Sequence, residues 1–574
     1  MQKNKKTQSW VVLLAIAPTI AVTYLAIKFN IPCLTVFHHP NLKFNLILNF
    51  CFTFVFIPFL ISFIAFFALR KNSKIASHEV RGSKIFTPKN ARKTLIKDFA
   101  AQTKNIFKSP KPRIFLGKEE VPLPRPSECE GIAAFGQQGS GKTQFLFELI
   151  CQIVKFCETL IIYDVKDAVT GDFFGRFFRE GKDFLFHTGD SRSIRWNIMA
   201  ELKSEADVDF FVEAAIVDES DTVNSTTSHF VDQSKLVLKA VLLTVMHSFE
   251  KPSNVELIDF LLKNQTAEQV CEAVENAGFA QQYGLSLRSV LTQNEKGKTD
   301  NQGQSVWATF NRYATRLKNR NFYYKESNFS IKSFVNLNIN HNADVRLFVV
   351  NPTATQAQNQ LYFRLFFAFL SREIRSLPTL LTRRMWLFLD EFQTLGRLKE
   401  IVVELPAEAR SKGACLVLAS QNLAKVREIF GENLTNAILS GAKTKLIFTL
   451  GDDYSLRKIE DIFGENEQEE THYNISRRID YRDTNWQETA QKRVMKTVLG
   501  SQISTQKNLE CWYKTGSIIT QIHFNILKIP YQTEQIIAPE PPLFQIDFAS
   551  KNDENLTENM NENTDNNDDL VLNF

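Results

Sequence analysis

Eight residues, Gly136-Gln137-Gln138-Gly139-Ser140-Gly141-Lys142-Thr143, leave few architectures open to this chain. They read G-x-x-x-x-G-K-T, and their flanks are what that pattern needs. A short apolar stretch, residues 131–135, precedes them, and FLFELICQIVKF follows with helical periodicity. Glycines let successive main-chain N–H groups curl around a polyanion, and the following helix turns its positive end toward the same place. Lys142 can reach the β- and γ-phosphates of a nucleoside triphosphate, and the Thr143 hydroxyl can ligate magnesium. The loop from Gly136 to Gln144 is therefore the candidate site for ATP with Mg2+. A glycine-rich turn between core elements would not account for the lysine.

Such a loop needs a carboxylate at the end of a neighbouring buried strand to hold the magnesium. MWLFL, residues 385–389, is a candidate strand, and Asp390-Glu391 follows it directly. Asp390 is the expected magnesium carboxylate and Glu391 the expected general base that activates water. Elsewhere an Asp-Glu pair at a strand end would be a solvated turn; Lys142 is what gives it chemistry here. ACLVLA, residues 414–419, is another apolar run, ending in Ser420-Gln421-Asn422, and the Gln421 amide could sense a γ-phosphate or cap the strand. TLIIYD (159–164), DVRLFVV (344–350) and KTKLIFTL (443–450) complete the set of buried strands. Strands alternating with helical segments predict an α/β fold with a mostly parallel sheet and helices on both faces.

The 574 residues exceed one ordinary domain. Two long apolar runs lie near the start. WVVLLAIAPTIAVTYLAIKF (10–29) and FNLILNFCFTFVFIPFLISFIAFFAL (44–69) are each long enough to cross a bilayer as a helix. Lys3, Lys5 and Lys6 precede the first run, and nine Lys and Arg between Arg70 and Lys97 follow the second, which predicts that both ends face the cytoplasm. The expectation is a two-span anchor in the cell inner membrane with the bulk of the chain cytoplasmic. A cleavable signal peptide is disfavoured by the second span and by the lack of a small-x-small site. The 49 Phe read as core and membrane filling. The eight Cys are scattered with no Cys-x-x-Cys pair, which speaks against a zinc site or a disulfide framework.

Several longer stretches resemble the type IV secretion coupling proteins of the TraD/TraG class. They are IIYDVKDAVTGDFFGRFF followed by RSIRWNIM, then LFLDEFQTLGRLKEIVVELPAEARSKGACLVLASQNLAKVREIFG, then NAILSGAKTKLIFTLGD and the Phe463-Gly464 turn. The order of strand-Asp-Glu, Arg-x-Lys-Gly and Ser-Gln is far more specific than the glycine loop alone. The resemblance implies a RecA-like P-loop NTPase domain carrying an inserted all-α domain, assembled as a homohexamer on the cytoplasmic face. It further implies a coupling ATPase that brings single-stranded DNA with its relaxase or relaxosome to type IV secretion channel subunits, or receives effector proteins instead. Arg410 matches the position from which a neighbouring subunit would complete each ATP site, with Arg397 as the competitor. After YDVKD the family has a Gly-Glu pair where this chain reads Ala168-Val169-Thr170-Gly171-Asp172, which leaves the role of Asp172 open.

The expected organisation is a transmembrane hairpin (1–72), a basic and Pro-rich linker (73–126), the motor domain in two parts (127–200 and 339–545), an all-α domain (201–338) and a disordered acidic tail (546–574). Lys296, Lys298, Arg312, Arg316, Lys318 and Arg320 lie near Trp307, Phe310 and Tyr313 in the all-α segment. They could grip single-stranded DNA by charge and stacking, or the aromatics could be helix core. Residues 551–574 hold seven acidic residues and one basic one, leaving the rest of the chain at +11. A basic body suits a polyanionic partner, and the tail's LVLNF could dock a protein.

Overall fold

The computed structural model describes residues 78–103, 112–165, 173–217, 225–277, 287–291, 301–477, 484–533 and Ile537. Both apolar N-terminal runs, the acidic tail, Asp172, Lys296 and Lys298 lie outside the described residues. Among the described residues no helix is long and apolar enough to cross a membrane.

The chain forms two compact units. The smaller holds three strands, β1 (His78–Gly82), β12 (Glu465–Arg477) and β13 (Thr484–Lys496), in the order β1-β12-β13. Strand β1 pairs antiparallel with β12, His78 opposite Glu469 and Gly82 opposite Asn466.

The larger unit is built on a ten-stranded sheet. In chain order its strands are β2 (Lys84–Ile85), β5 (Ile132–Phe135), β6 (Thr159–Asp164), β7 (Phe184–Phe186) and β8 (Arg346–Val350). Then come β9 (Met385–Asp390), β10 (Ala414–Ser420), β11 (Thr444–Ile447), β14 (Glu510–Thr515) and β15 (Ile518–His523). The spatial order is β2-β15-β14-β11-β5-β10-β9-β6-β8-β7, and the seven strands from β11 to β7 are all parallel. They read as continuous apolar runs because helices cover both faces. Strand β14 instead runs antiparallel to both β11 and β15, and β2 pairs parallel with β15 at the edge. β11 is shorter than the expected run, since Thr449 already turns its carbonyl to the Gln137 N–H at 2.8 Å.

Within the stretch expected to be a linker, Pro88–Thr103 is a helix, and β3 (Ile114–Leu116) pairs antiparallel with β4 (Val121–Leu123). Ile114, Val121 and Leu123 are fully buried, so burial of the apolar residues between the prolines outweighs the extended preference of the prolines themselves.

Two apolar cores flank the sheet. One holds Phe145, Leu149 and Ile153 of the helix Lys142–Ile153 against β5 and β11. The other runs from the opposite face into the helical segment, where Trp196 packs edge to face on Phe366 and Phe369 and Phe186 tilts against Phe366, with Phe211, Val241 and Phe310 in the same cluster. The helix Gln356–Ser376 is apolar nearly all round (LYFRLFFAFL) because it lies between sheet and helical segment. Each buried Phe contributes roughly 2–3 kcal/mol, which explains the abundance of that residue. Capping boxes at Ser204/Asp207, Ser253/Glu256 and Thr266/Gln269 set where three of the helices begin. Phe310 and Tyr313 are buried, and the Tyr313 hydroxyl donates to the Val217 carbonyl at 2.9 Å, so these two aromatics are core.

Candidate nucleotide site

Strand β5 ends at Phe135 and delivers the glycine loop at the carboxyl edge of the parallel strands. Gly136 admits no side chain: a Cβ there would come within 2.4 Å of the Phe448 Cβ and 2.7 Å of the Ser140 Oγ. Gly141 sits at φ +119° and is hemmed by Leu509, whose Cα would lie 3.0 Å from an added Cβ. Gln137, Gln138 and Gly139 are exposed at the crest. The loop is pinned by the Gln137 N–H donating to Thr449 (2.8 Å), the Ser140 Oγ to the Gln137 carbonyl (2.7 Å) and the Leu509 N–H to the Ser140 carbonyl (2.8 Å). Lys142 opens the helix, and its buried ammonium donates to the carbonyls of Gly136 and Gln137. Thr143 and Gln144 follow on the first turn, and the Gln144 Oε1 accepts from the Leu527 N–H at 2.7 Å.

Strand β10 separates the loop strand from the acidic strand. It pairs with β5 through Ser420 and Phe135 and with β9 through Ala419 and Asp390, so Asp390 stands two strands from the loop, about 10 Å away. Asp390 is 5% exposed at the end of β9. Glu391 leaves the strand at φ +51°, a left-handed turn that a non-glycine residue adopts at a cost. Its carboxylate accepts from the Gln393 Nε2 at 2.5 Å and from the Gln421 main-chain N–H at 3.3 Å. Its carbonyl accepts from the Thr394 Oγ1 at 2.7 Å, and Thr394 in turn meets the Tyr163 hydroxyl at 3.0 Å. Burial pushes that phenol up to about 12, so it stays a hydrogen-bonding group at any working pH.

The sequence readings thus converge on one edge: Gly136 through Gln144, Asp390, Glu391 and Gln421 all lie at the carboxyl ends of three adjacent strands. Arg410 does not join them. It lies on the helix Leu405–Lys412, which leads through Gly413 into the start of β10, and its guanidinium is 3.9 Å from Glu130 ahead of β5. That is the opposite edge of the sheet, and the side chain is 65% exposed, so within one chain it cannot serve its own loop. Arg397 follows the turn after Glu391 on the loop's own edge. Gln393, Thr449 and Leu509 also surround the site. Gln393 could have been suspected from its place two residues after Glu391, while Thr449 and Leu509 carry no signal in the sequence.

The residues fit a magnesium nucleotide: a loop in which Gly136 and Gly141 leave no room for side chains, an ammonium at its mouth, and a Thr hydroxyl and an Asp carboxylate across one strand. This arrangement defines a P-loop nucleotide-binding protein. The profile of the type IV secretion-system coupling protein DNA-binding domain matches residues 116–526, and the chain belongs to that family. Coupling protein TraD of Escherichia coli (strain K12) is 22% identical over 388 residues, 66% of this chain, which spans about half (48%) of TraD's length. The fold is that of the bacterial conjugative coupling protein TrwBdeltaN70 in its unbound monoclinic form. The TM-score is 0.64 at 16% identity, covering 80% of this chain and 96% of that one. TrwB has also been solved with the non-hydrolysable analogue ADPNP (TM-score 0.63, 16% identity, 81% and 98% covered) and with ADP and Mg2+ (TM-score 0.63, 16% identity, 80% and 96% covered).

Proposed function

We propose that this protein is the ATP-hydrolysing motor of a conjugative coupling complex, passing single-stranded DNA and its relaxosome to a type IV secretion channel. The observation that carries the reading is the meeting of the Lys142 loop with Asp390-Glu391 across the single strand β10, in a chain of the coupling-protein family. Homologous TrwB structures holding ADPNP, or ADP with Mg2+, support ATP and Mg2+ as the ligands. The six segments set out from the sequence, from membrane hairpin to acidic tail, remain our reading of the organisation. So does a homohexamer on the inner membrane.

Bound MgATP supplies the electrophilic γ-phosphoryl group. Main-chain N–H groups of the loop and the positive end of the following helix hold its phosphates. With nucleotide bound, the Lys142 ammonium would exchange its carbonyl partners for phosphate oxygens, and Thr143 with Asp390 would hold the Mg2+. Glu391 accepts the proton of the attacking water. Gln421, whose N–H already touches Glu391, reports the γ-phosphate to β10. Arg410, exposed on the far edge, reaches the site of the next subunit, where its charge offsets that developing in the transition state.

Lys142→Ala should abolish nucleotide binding, and Glu391→Gln should keep it while lowering turnover at least a hundredfold; steady-state hydrolysis with and without single-stranded DNA measures both. Equal turnover with and without DNA would count against the pump and favour the second reading, a receptor for protein cargo. Burial of Phe310 and Tyr313 favours that reading, because it leaves the half-buried Trp307 alone of those three aromatics to stack on a base.

A further inference from the structure

Nothing so far explains why a glutamine is buried beside the Asp390-Glu391 pair. Gln393 is 5% exposed within the short helical turn Phe392–Leu395, held there by buried Phe392 and Leu395 on either side. Its Nε2 donates to the Glu391 Oε2 at 2.5 Å. The amide orientation follows from chemistry, since turning it over would set a carbonyl oxygen against a carboxylate oxygen. The Gln393 Oε1 is buried without a hydrogen-bond partner among the described residues. Burying an amide with half its hydrogen-bonding capacity unmet is costly, so the contact with Glu391 is the side chain's main return. A methionine or leucine would fill the same space at no such cost.

The contact fixes a group that would otherwise swing. Glu391 lies beyond the end of β9 in a left-handed turn, and its main chain is fastened by the Thr394 hydroxyl, which Tyr163 meets from β6. Among the described residues the carboxylate itself accepts hydrogen bonds from the Gln393 amide and the Gln421 N–H, the latter at the tip of β10. A charge-assisted bond from a rigid turn and a main-chain N–H from the adjacent strand together define one orientation. We propose that Gln393 is a positioning residue: it aims the Glu391 carboxylate and couples that aim to the tip of the strand lying between β9 and the glycine loop. This inference rests on the hydrolytic reading above, because a carboxylate needs aiming only if it acts on water.

Full-length Gln393→Met keeps the length and volume of the side chain and removes the donor; Gln393→Glu keeps the shape and adds a like charge. We expect kcat to fall about tenfold in the first and further in the second. KM for ATP, affinity for a fluorescent ATP analogue with Mg2+, and the melting temperature should stay close to those of the parent chain. A high-resolution structure of Gln393→Met should show the Glu391 carboxylate turned away from the Gln421 N–H. Unchanged turnover in Gln393→Met would overturn the assignment. So would loss of nucleotide affinity in step with turnover, or failure of this volume-conserving variant to fold, since either makes Gln393 part of the scaffold. A parent chain that hydrolyses no ATP would sink the motor reading, and the position of the Glu391 carboxylate in the variant would still decide whether Gln393 holds it.

Discussion

Lys445 on β11 is a buried ammonium, and burial, with Lys514 across the strand pair adding repulsion, pushes it down to about 8. Its ammonium donates to the Ala442 carbonyl. The folded value lies below the unfolded one of roughly 10.4, so the folded state holds this proton less tightly. Stability should therefore rise as pH climbs from about 8 to about 10.5, and below about 8 the full penalty applies, of the order of 3 kcal/mol. Lys445→Met should raise the melting temperature at pH 7 and flatten its rise in that alkaline window, which thermal melts across pH would measure. At this scale the sequence was most readable where chemistry forbids substitutes. Lys142, Asp390 and Glu391 stood out because a triphosphate with its metal needs those groups, whereas Thr449 and Leu509 act by where the fold brings them and leave no pattern of their own.

Among the elements, the amino ends of β5, β6 and β9 are tied together by buried charge. Arg113 donates to Glu128 (2.8 Å) and Glu158 (2.6 Å), Arg384 donates to Glu128 (2.7 Å), and the Trp386 indole donates to Glu158 (2.9 Å). Glu128 is fully buried between two guanidiniums. Removing it in Glu128→Ala should destabilise the larger unit by roughly 3–5 kcal/mol, because Arg384 would then stay buried without its anion. Denaturant unfolding would show this as a lower midpoint, with the glycine loop at the opposite edge still binding nucleotide until the unit melts. Strands β6, β9 and β10 were legible as unbroken apolar runs because both their faces are covered. β14 and β15 were not, since ECWYKT and IITQIH mix polar and apolar residues as antiparallel strands do. β12 and β13 are more polar still, and ENEQEETHYNISR offers no apolar face from which to infer a strand. The wide turn Glu400–Glu404 leading into the Arg410 helix likewise has no sequence marker.

For the whole molecule, the coupling-protein family was readable from the order of short motifs, and the parallel-rich α/β sheet from their spacing. The membrane hairpin, on residues outside those described, and the homohexamer belong to the proposed organisation. Arg410→Ala should bind nucleotide normally yet lose turnover, and mixing it with Glu391→Gln chains should restore part of the activity, since an intact site in one subunit would then meet an intact arginine from the next. Absence of recovery in mixed assemblies would remove Arg410 from the trans role and leave Arg397 as the candidate. Finally, the chain leaves the larger unit after Gly464 and re-enters it at Lys496, and within the larger unit the Thr497 N–H donates to the Gly464 carbonyl at 2.9 Å. That bond closes the larger unit's chain on itself where β12 and β13 are spliced in, so evolution or an engineer could lengthen, trim or exchange those two strands without cutting into the strands that carry the glycine loop.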